Sequence, residues 1–124
     1  MTAAWQLSIE RKIQEGVTVL TISGRLGVDT SRTLIDALLD AMEHGQRRIL
    51  VDLHGVDYMS SPGLLVLDAA AGRMHQVGGD LVLCAACEPV RLVLEMSGVL
   101  ADLPLEPTRA AGLERLRQSF RSRT

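Results

Sequence analysis

Short apolar runs alternate along this chain with longer segments whose apolar residues recur every three to four positions. Val17–Ser23, Ile49–Leu53 and Leu81–Ala85 are of the first kind. They are rich in aliphatic and β-branched residues and too short for helices. A nearly continuous run of that sort marks a strand covered on both faces. Between them, Arg32–His44 puts Leu34, Ile35, Leu38, Ala41 and Met42 at helical spacing, with Arg32, Asp36, Asp40 and Glu43 on the opposite side. Pro62–Val77 carries Leu64, Leu67, Ala71 and Met74 in the same way and ends at Gly78-Gly79. A third helical pattern opens at Glu88-Pro89 with Val90, Val93 and Leu94, and stops near Gly98. Strands separated by helices of this length form βαβ units, whose sheet is mostly parallel and needs helices over it.

The two ends complete the pattern. Leu7, Ile9 and Arg11 alternate, and Glu15-Gly16 is a turn before Val17, so the chain opens with an antiparallel hairpin. Asp29, Thr30 and Ser31 are all capable of capping the first helix. Val99–Leu103 reads as a last short strand, Pro104 and Pro107 as an extended corner. Thr108 caps a final helix bearing Ala110, Leu113, Leu116 and Phe120. The expected architecture is α/β, a mixed sheet of about four to five strands covered by about four helices. A chain of 124 residues suits one domain over 1–124, its core spanning about 6–120.

Several function classes are poorly served by this composition. Thirteen Lys+Arg against fifteen Asp+Glu give a net charge of −2. A nucleic-acid partner calls for a basic excess, so none is expected. The aromatics are Trp5, Tyr58 and Phe120, too few for base stacking. There is no apolar run of roughly eighteen residues, so no membrane insertion is expected. Met1–Arg11 lacks a basic flank followed by an apolar stretch, and two cysteines do not staple a secreted scaffold. The expected location is the cytoplasm.

Catalytic patterns are missing as well. His44, His54 and His75 lie in three different segments without zinc-ligand spacing. Gly24-Arg25-Leu26-Gly27 has neither dinucleotide nor Walker spacing, and no G-x-S-x-G elbow occurs. No metal, cofactor or enzymatic activity is expected. Cys84-Ala85-Ala86-Cys87 follows a strand and precedes a helix, where a thiol-redox pair would sit. The strand run instead points Cys84 into the core and leaves Cys87 at the cap of the third helix. The arginines Arg109, Arg115, Arg117, Arg121 and Arg123 complement the dipole of the last helix and keep it soluble.

One segment joins a strand to a helix with unusual residues: Met59-Ser60-Ser61-Pro62-Gly63-Leu64. Proline favours the first helical position, which puts Ser61 at the cap and makes Gly63 a close-packing residue. The same place tolerates a phosphate, because free N–H groups and the helix dipole favour an anion there.

The stretch Val56–Leu65 resembles the signature of the STAS domain family, in its anti-sigma factor antagonist branch. That signature is Asp-Ser-Ser/Thr-Gly-Leu-Gly after a hydrophobic pair. Three further stretches resemble the family in the same order. These are Gly24-Arg25-Leu26, Gly78-Gly79-Asp80-Leu81-Val82-Leu83-Cys84, and Val90–Val99 with its Ser97-Gly98 corner. The resemblance implies a non-enzymatic binding module whose partner is a serine-kinase anti-sigma factor, with a serine phosphatase as second partner. By position it implies Ser61 as the phosphorylated residue, with Ser60 the second choice. It further implies a partner surface of Met59, Ser60, Ser61, Pro62, Gly63, Leu64, Asp29 and Thr30. Ser60 stands where the family has Asp, Pro62 where it has the second Ser, and Leu65 where it has Gly. The alternatives are a constitutive STAS subunit of a stress assembly, transporter or lipid-trafficking complex, and a CxxC redox protein.

Overall fold

The structure, a computed structural model, describes residues 7–122, with side chains described through Gln118. Trp5 and Arg123 lie outside the described residues, as do the side chains of Phe120 and Arg121. Strand β1 (Leu7–Gln14) pairs antiparallel with β2 (Val17–Leu26). The turn between them has φ 55° at Glu15 and 80° at Gly16, the two left-handed residues that let a tight turn match the strands' twist. Then come α1 (Ser31–Glu43), β3 (Arg48–Met59), α2 (Ser61–Gln76), β4 (Asp80–Cys84), α3 (Glu88–Ser97), β5 (Leu105–Glu106) and α4 (Arg109–Ser122). The strands lie side by side in chain order, and every pair after the first is parallel.

The sheet is covered on both faces, which is why its inner strands read as continuous apolar runs. On one face Ile49, Val51 and Leu53 of β3 meet Leu34 and Leu38 of α1, Leu67 and Met74 of α2, and Val90 and Leu94 of α3. On the other, Leu50 joins Val17, Val19, Val82 and Cys84 under Leu113 and Leu116 of α4. No helix among the described residues is long and apolar enough to cross a membrane.

Two strands depart most from what the sequence suggests. Strand β3 does not stop at His54-Gly55 but runs on to Met59. Gly55 allows this by lying hard against β2, where a Cβ would stand 2.4 Å from Ser23 Oγ. The β2–β3 register shifts between Thr21 and Ser23 and again between Gly24 and Arg25. Such irregularities sharpen the twist and re-aim the side chains beyond them. The last strand is not Val99–Leu103. Gly98, at φ 84°, ends α3, and Val99–Ala101 forms a 3-10 turn that leaves Leu103 buried. The strand falls on Leu105–Glu106, between the two prolines, where Leu83 N–H donates to Pro104 O and Ala85 N–H to Glu106 O, at 2.9 and 3.0 Å.

Helix α4 is fastened at its start and again two turns further on. Arg109 Nε donates to Asp52 Oδ2 at 2.9 Å and its Nη2 to Thr21 Oγ1 at 2.8 Å, while Asp52 Oδ1 accepts the His54 N–H at 2.9 Å. Arg117 pairs with Glu15 in the hairpin turn at 2.5 Å. So Arg109 and Arg117 are clasps onto the sheet; Arg109 opens α4, the end where a helix dipole disfavours a cation, so its role is the clasp and not the complement to the dipole expected from sequence. Asp52 is only 5% exposed, whereas a third of the Arg109 side chain reaches solvent. We expect Asp52→Ala to lower stability by about 2 kcal/mol, because the guanidinium regains water but its buried partner and the His54 acceptor are lost. Urea unfolding measures this. An unchanged midpoint would show that the clasp contributes nothing.

Candidate functional site

The carboxyl ends of β2 and β3, where α1 and α2 begin, form the place where open parallel sheets usually bind their ligands. Arg25 pairs in register with Tyr58, and Leu26 with Met59. The Arg25 guanidinium lies over the Tyr58 ring, 4.8 Å from its centroid, a cation–π contact. From β2 the chain turns through Gly27–Thr30. Thr30 Oγ1 donates to Arg25 O at 2.6 Å and accepts the Gly27 N–H at 3.0 Å. Thr30 is the first residue flanking α1, yet its hydroxyl serves this turn and makes no cap bond.

From β3 the chain enters α2 with a single intervening residue. Ser60 is extended (φ −117°, ψ 176°); its N–H donates to Leu26 O at 3.0 Å and its carbonyl accepts the Leu64 N–H at 3.2 Å. The cap position is therefore Ser60. Ser61 is the first helical residue and Pro62 the second, so the helix begins one residue earlier than the sequence suggests. The cause is non-local: the bond to Leu26 holds Ser60 in the strand ladder and sets where the helix begins. Proline still sits where its missing N–H costs nothing.

Gly63 fixes the seat of that first turn. A Cβ there would come within 2.6 Å of Leu26 Cγ and 3.3 Å of Leu26 O. The residues expected to contact a partner separate accordingly. Met59 and Thr30, 4% and 3% exposed, and buried Gly63 lie beneath the surface. There they shape the loop from below and offer little surface of their own. Ser61 and Asp29 are exposed; Ser60, Pro62 and Leu64 are half-buried. Among the described residues no hydrogen bond engages the Ser60 or Ser61 hydroxyl. Sequence reasoning missed Leu65, 67% exposed, together with exposed Val28 and Tyr58. The signal for Leu65 was its spacing four residues after Ser61, on the same face of α2.

A groove of about 330 Å³ opens beside Ser61, between the start of α2 and the segment from Ser97 to Asp102. No group of three or more His, Cys, Asp or Glu gathers into a metal site among the described residues. Cys84 is buried, and burial, with Asp52 adding to it, pushes its thiol up to about 12. It is a protonated core residue at neutral pH, while redox chemistry needs a thiolate. Cys87 flanks α3, and its Sγ donates to Val56 O at 3.4 Å.

The chain can be set beside known proteins on this geometry. The model of the STAS domain family matches residues 8–112. BtrV of Bordetella bronchiseptica, named as a candidate anti-sigma factor antagonist, is 35% identical over 97 residues, covering 78% of this chain and 84% of that protein. The anti-sigma F factor antagonist of Paenibacillus polymyxa is 29% identical over 111 residues, 89% of this chain and 95% of the relative. In three dimensions, the crystal structure of an anti-sigma factor antagonist from Mycobacterium paratuberculosis superposes with a TM-score of 0.84 at 23% identity. That match covers 90% of this chain and 95% of the other. Family model, relatives and fold agree, and the chain belongs to the STAS domain family.

Proposed function

We propose that this chain is an anti-sigma factor antagonist, a binding module of the cytoplasm that docks on a serine-kinase anti-sigma factor and is released by phosphorylation of Ser61. A serine phosphatase restores it. The reading is carried by one observation: Ser61 is an exposed serine in the first turn of α2 with a free hydroxyl, and the resemblance of the surrounding motif aligns it with the family's phosphorylated serine. The relatives' names support the antagonist role. Ser60 is the weaker acceptor, being half-buried with its backbone tied to Leu26.

The mechanism is local. Unphosphorylated, the loop and the first turn of α2 offer neutral hydroxyls and the apolar side chains of Leu64 and Leu65. Phosphate adds roughly two negative charges and strong acceptor oxygens. The helix N-terminus stabilises that dianion on the free protein. In a docked interface the dianion loses its water without a prepared partner. The modified state is therefore stable alone and poor at docking.

The test uses the serine-kinase anti-sigma factors of the source organism, purified, with ATP and magnesium. We expect one of them to transfer phosphate to Ser61, located by mass spectrometry of the phosphopeptide, and to retain the unmodified chain on a column. Phosphate confined to Ser60, or on neither serine, would overturn the assignment.

A further inference from the structure

We infer that the groove beside Ser61 receives a basic side chain of the docked partner, an arginine or lysine, with Asp68 and Asp102 as its counter-charges. This rests on the antagonist reading above and adds the chemistry of the surface that docks. Leu64, Leu65 and Val99 line the groove together with Ser61 and the two carboxylate residues, and no cationic residue lines it. Asp68 follows Ser61 by seven positions, two turns along the same face of α2. The volume of about 330 Å³ is at the small end for ligand pockets, roughly 300–1,000 Å³, and suits a side chain better than a cofactor.

Charge decides the occupant. Elsewhere five arginines are matched: Arg11 with Asp40, Arg91 with Glu88 and Glu95, Arg109 with Asp52, Arg115 with Glu106, Arg117 with Glu15 and Glu114. Around the site the balance is the reverse. Asp68 and Asp102, both exposed, have no ion-pair partner among the described residues, and the same holds for Asp29 and Asp57. Apolar walls with carboxylates beside them fit an arginine or lysine, whose aliphatic stem packs on leucine while its head meets the carboxylates. A docked cover would exclude water and strengthen that pairing. A phosphate on Ser61 stands in the same groove. It would compete with Asp68 and Asp102, which already balance that basic side chain, and pull it from its seat, so the docked geometry is lost on top of the cost of burying a dianion.

The experiment measures affinity for a purified serine-kinase anti-sigma factor of the source organism by biolayer interferometry. Wild type is compared with Asp68→Asn/Asp102→Asn and with Asp68→Glu/Asp102→Glu, after circular dichroism has shown that all three melt alike. We expect the amide pair to bind at least ~10-fold more weakly and to lose most of the affinity change between about 50 and 300 mM salt. The glutamate pair, which keeps the charge, should retain most of the binding. An amide pair that binds like wild type with the same salt dependence would overturn the groove assignment. If Ser61→Asp still abolished binding in that case, the phosphorylation switch would stand. If no such kinase bound the wild-type chain, the antagonist reading would fail and this inference with it.

Discussion

Gly63→Val will destabilise the protein by about 3 kcal/mol and lower its melting temperature by roughly 10 °C. The substitution adds a branched side chain where even a Cβ stands 2.6 Å from Leu26 Cγ and 3.3 Å from the Leu26 carbonyl. Leu26 is fully buried and is the last residue of β2, and the Ser60 N–H bonds to its carbonyl. Relief must come from moving α2 away from the sheet, which disturbs the seat of Ser61 along with the core. The same helix supplies an internal control. Gly72 has nothing within 4 Å of an added Cβ, so Gly72→Ala should stabilise by about 0.5–1 kcal/mol through helix propensity alone. Opposite signs at two glycines of one helix, read by thermal melts, are the expected result. A neutral Gly63→Val would mean that α2 can slide on β2 freely and that the site is not held as described.

Ser61→Asp should leave stability within about 1 kcal/mol of wild type, since a carboxylate in the first helical turn is favoured by the dipole. Its affinity for the kinase partner should nevertheless fall roughly 100-fold, the scale of about 2.7 kcal/mol for an interfacial charge with no counter-charge of its own, the basic side chain in the groove being held by Asp68 and Asp102. Ser61→Ala should bind like wild type and accept no phosphate, which separates loss of the hydroxyl from gain of charge. Titration calorimetry of the three proteins decides the matter. Equal affinity of wild type and Ser61→Asp would end the switch mechanism.

Much of the fold is legible in the sequence because burial writes it there. Val17–Leu20, Ile49–Leu53 and Leu81–Cys84 are apolar on both sides because helices lie on both faces, and α1 and α2 carry one apolar stripe each. The upper half of β3 is not legible. From His54 to Tyr58 most residues are exposed or half-buried, so the strand loses its apolar signature while keeping its ladder. Strand β5 is two residues long, too short for any period to show. The one-residue shift of the α2 cap comes from the bond between Ser60 and Leu26, thirty-four residues apart in the chain, which no local preference encodes. That the serine pair opens α2 was legible through Pro62 and the motif around it. The burial of Met59 and Thr30 was not, because it depends on how two loops pack at the strand ends.

The strands stand in the sheet in the order in which they are synthesised. A chain growing from the ribosome can therefore add each new strand to an edge already formed, without inserting between two earlier ones. The first three helices come directly after their strands and close one face as it is made. The second face has a different history. Val17 and Val19 are made early, but Leu113 and Leu116, which cover them, come only with α4. Until Arg109 reaches Asp52, the nascent sheet shows water an apolar strip, so the time spent translating the intervening residues is the interval in which this protein is most exposed to aggregation and to chaperones.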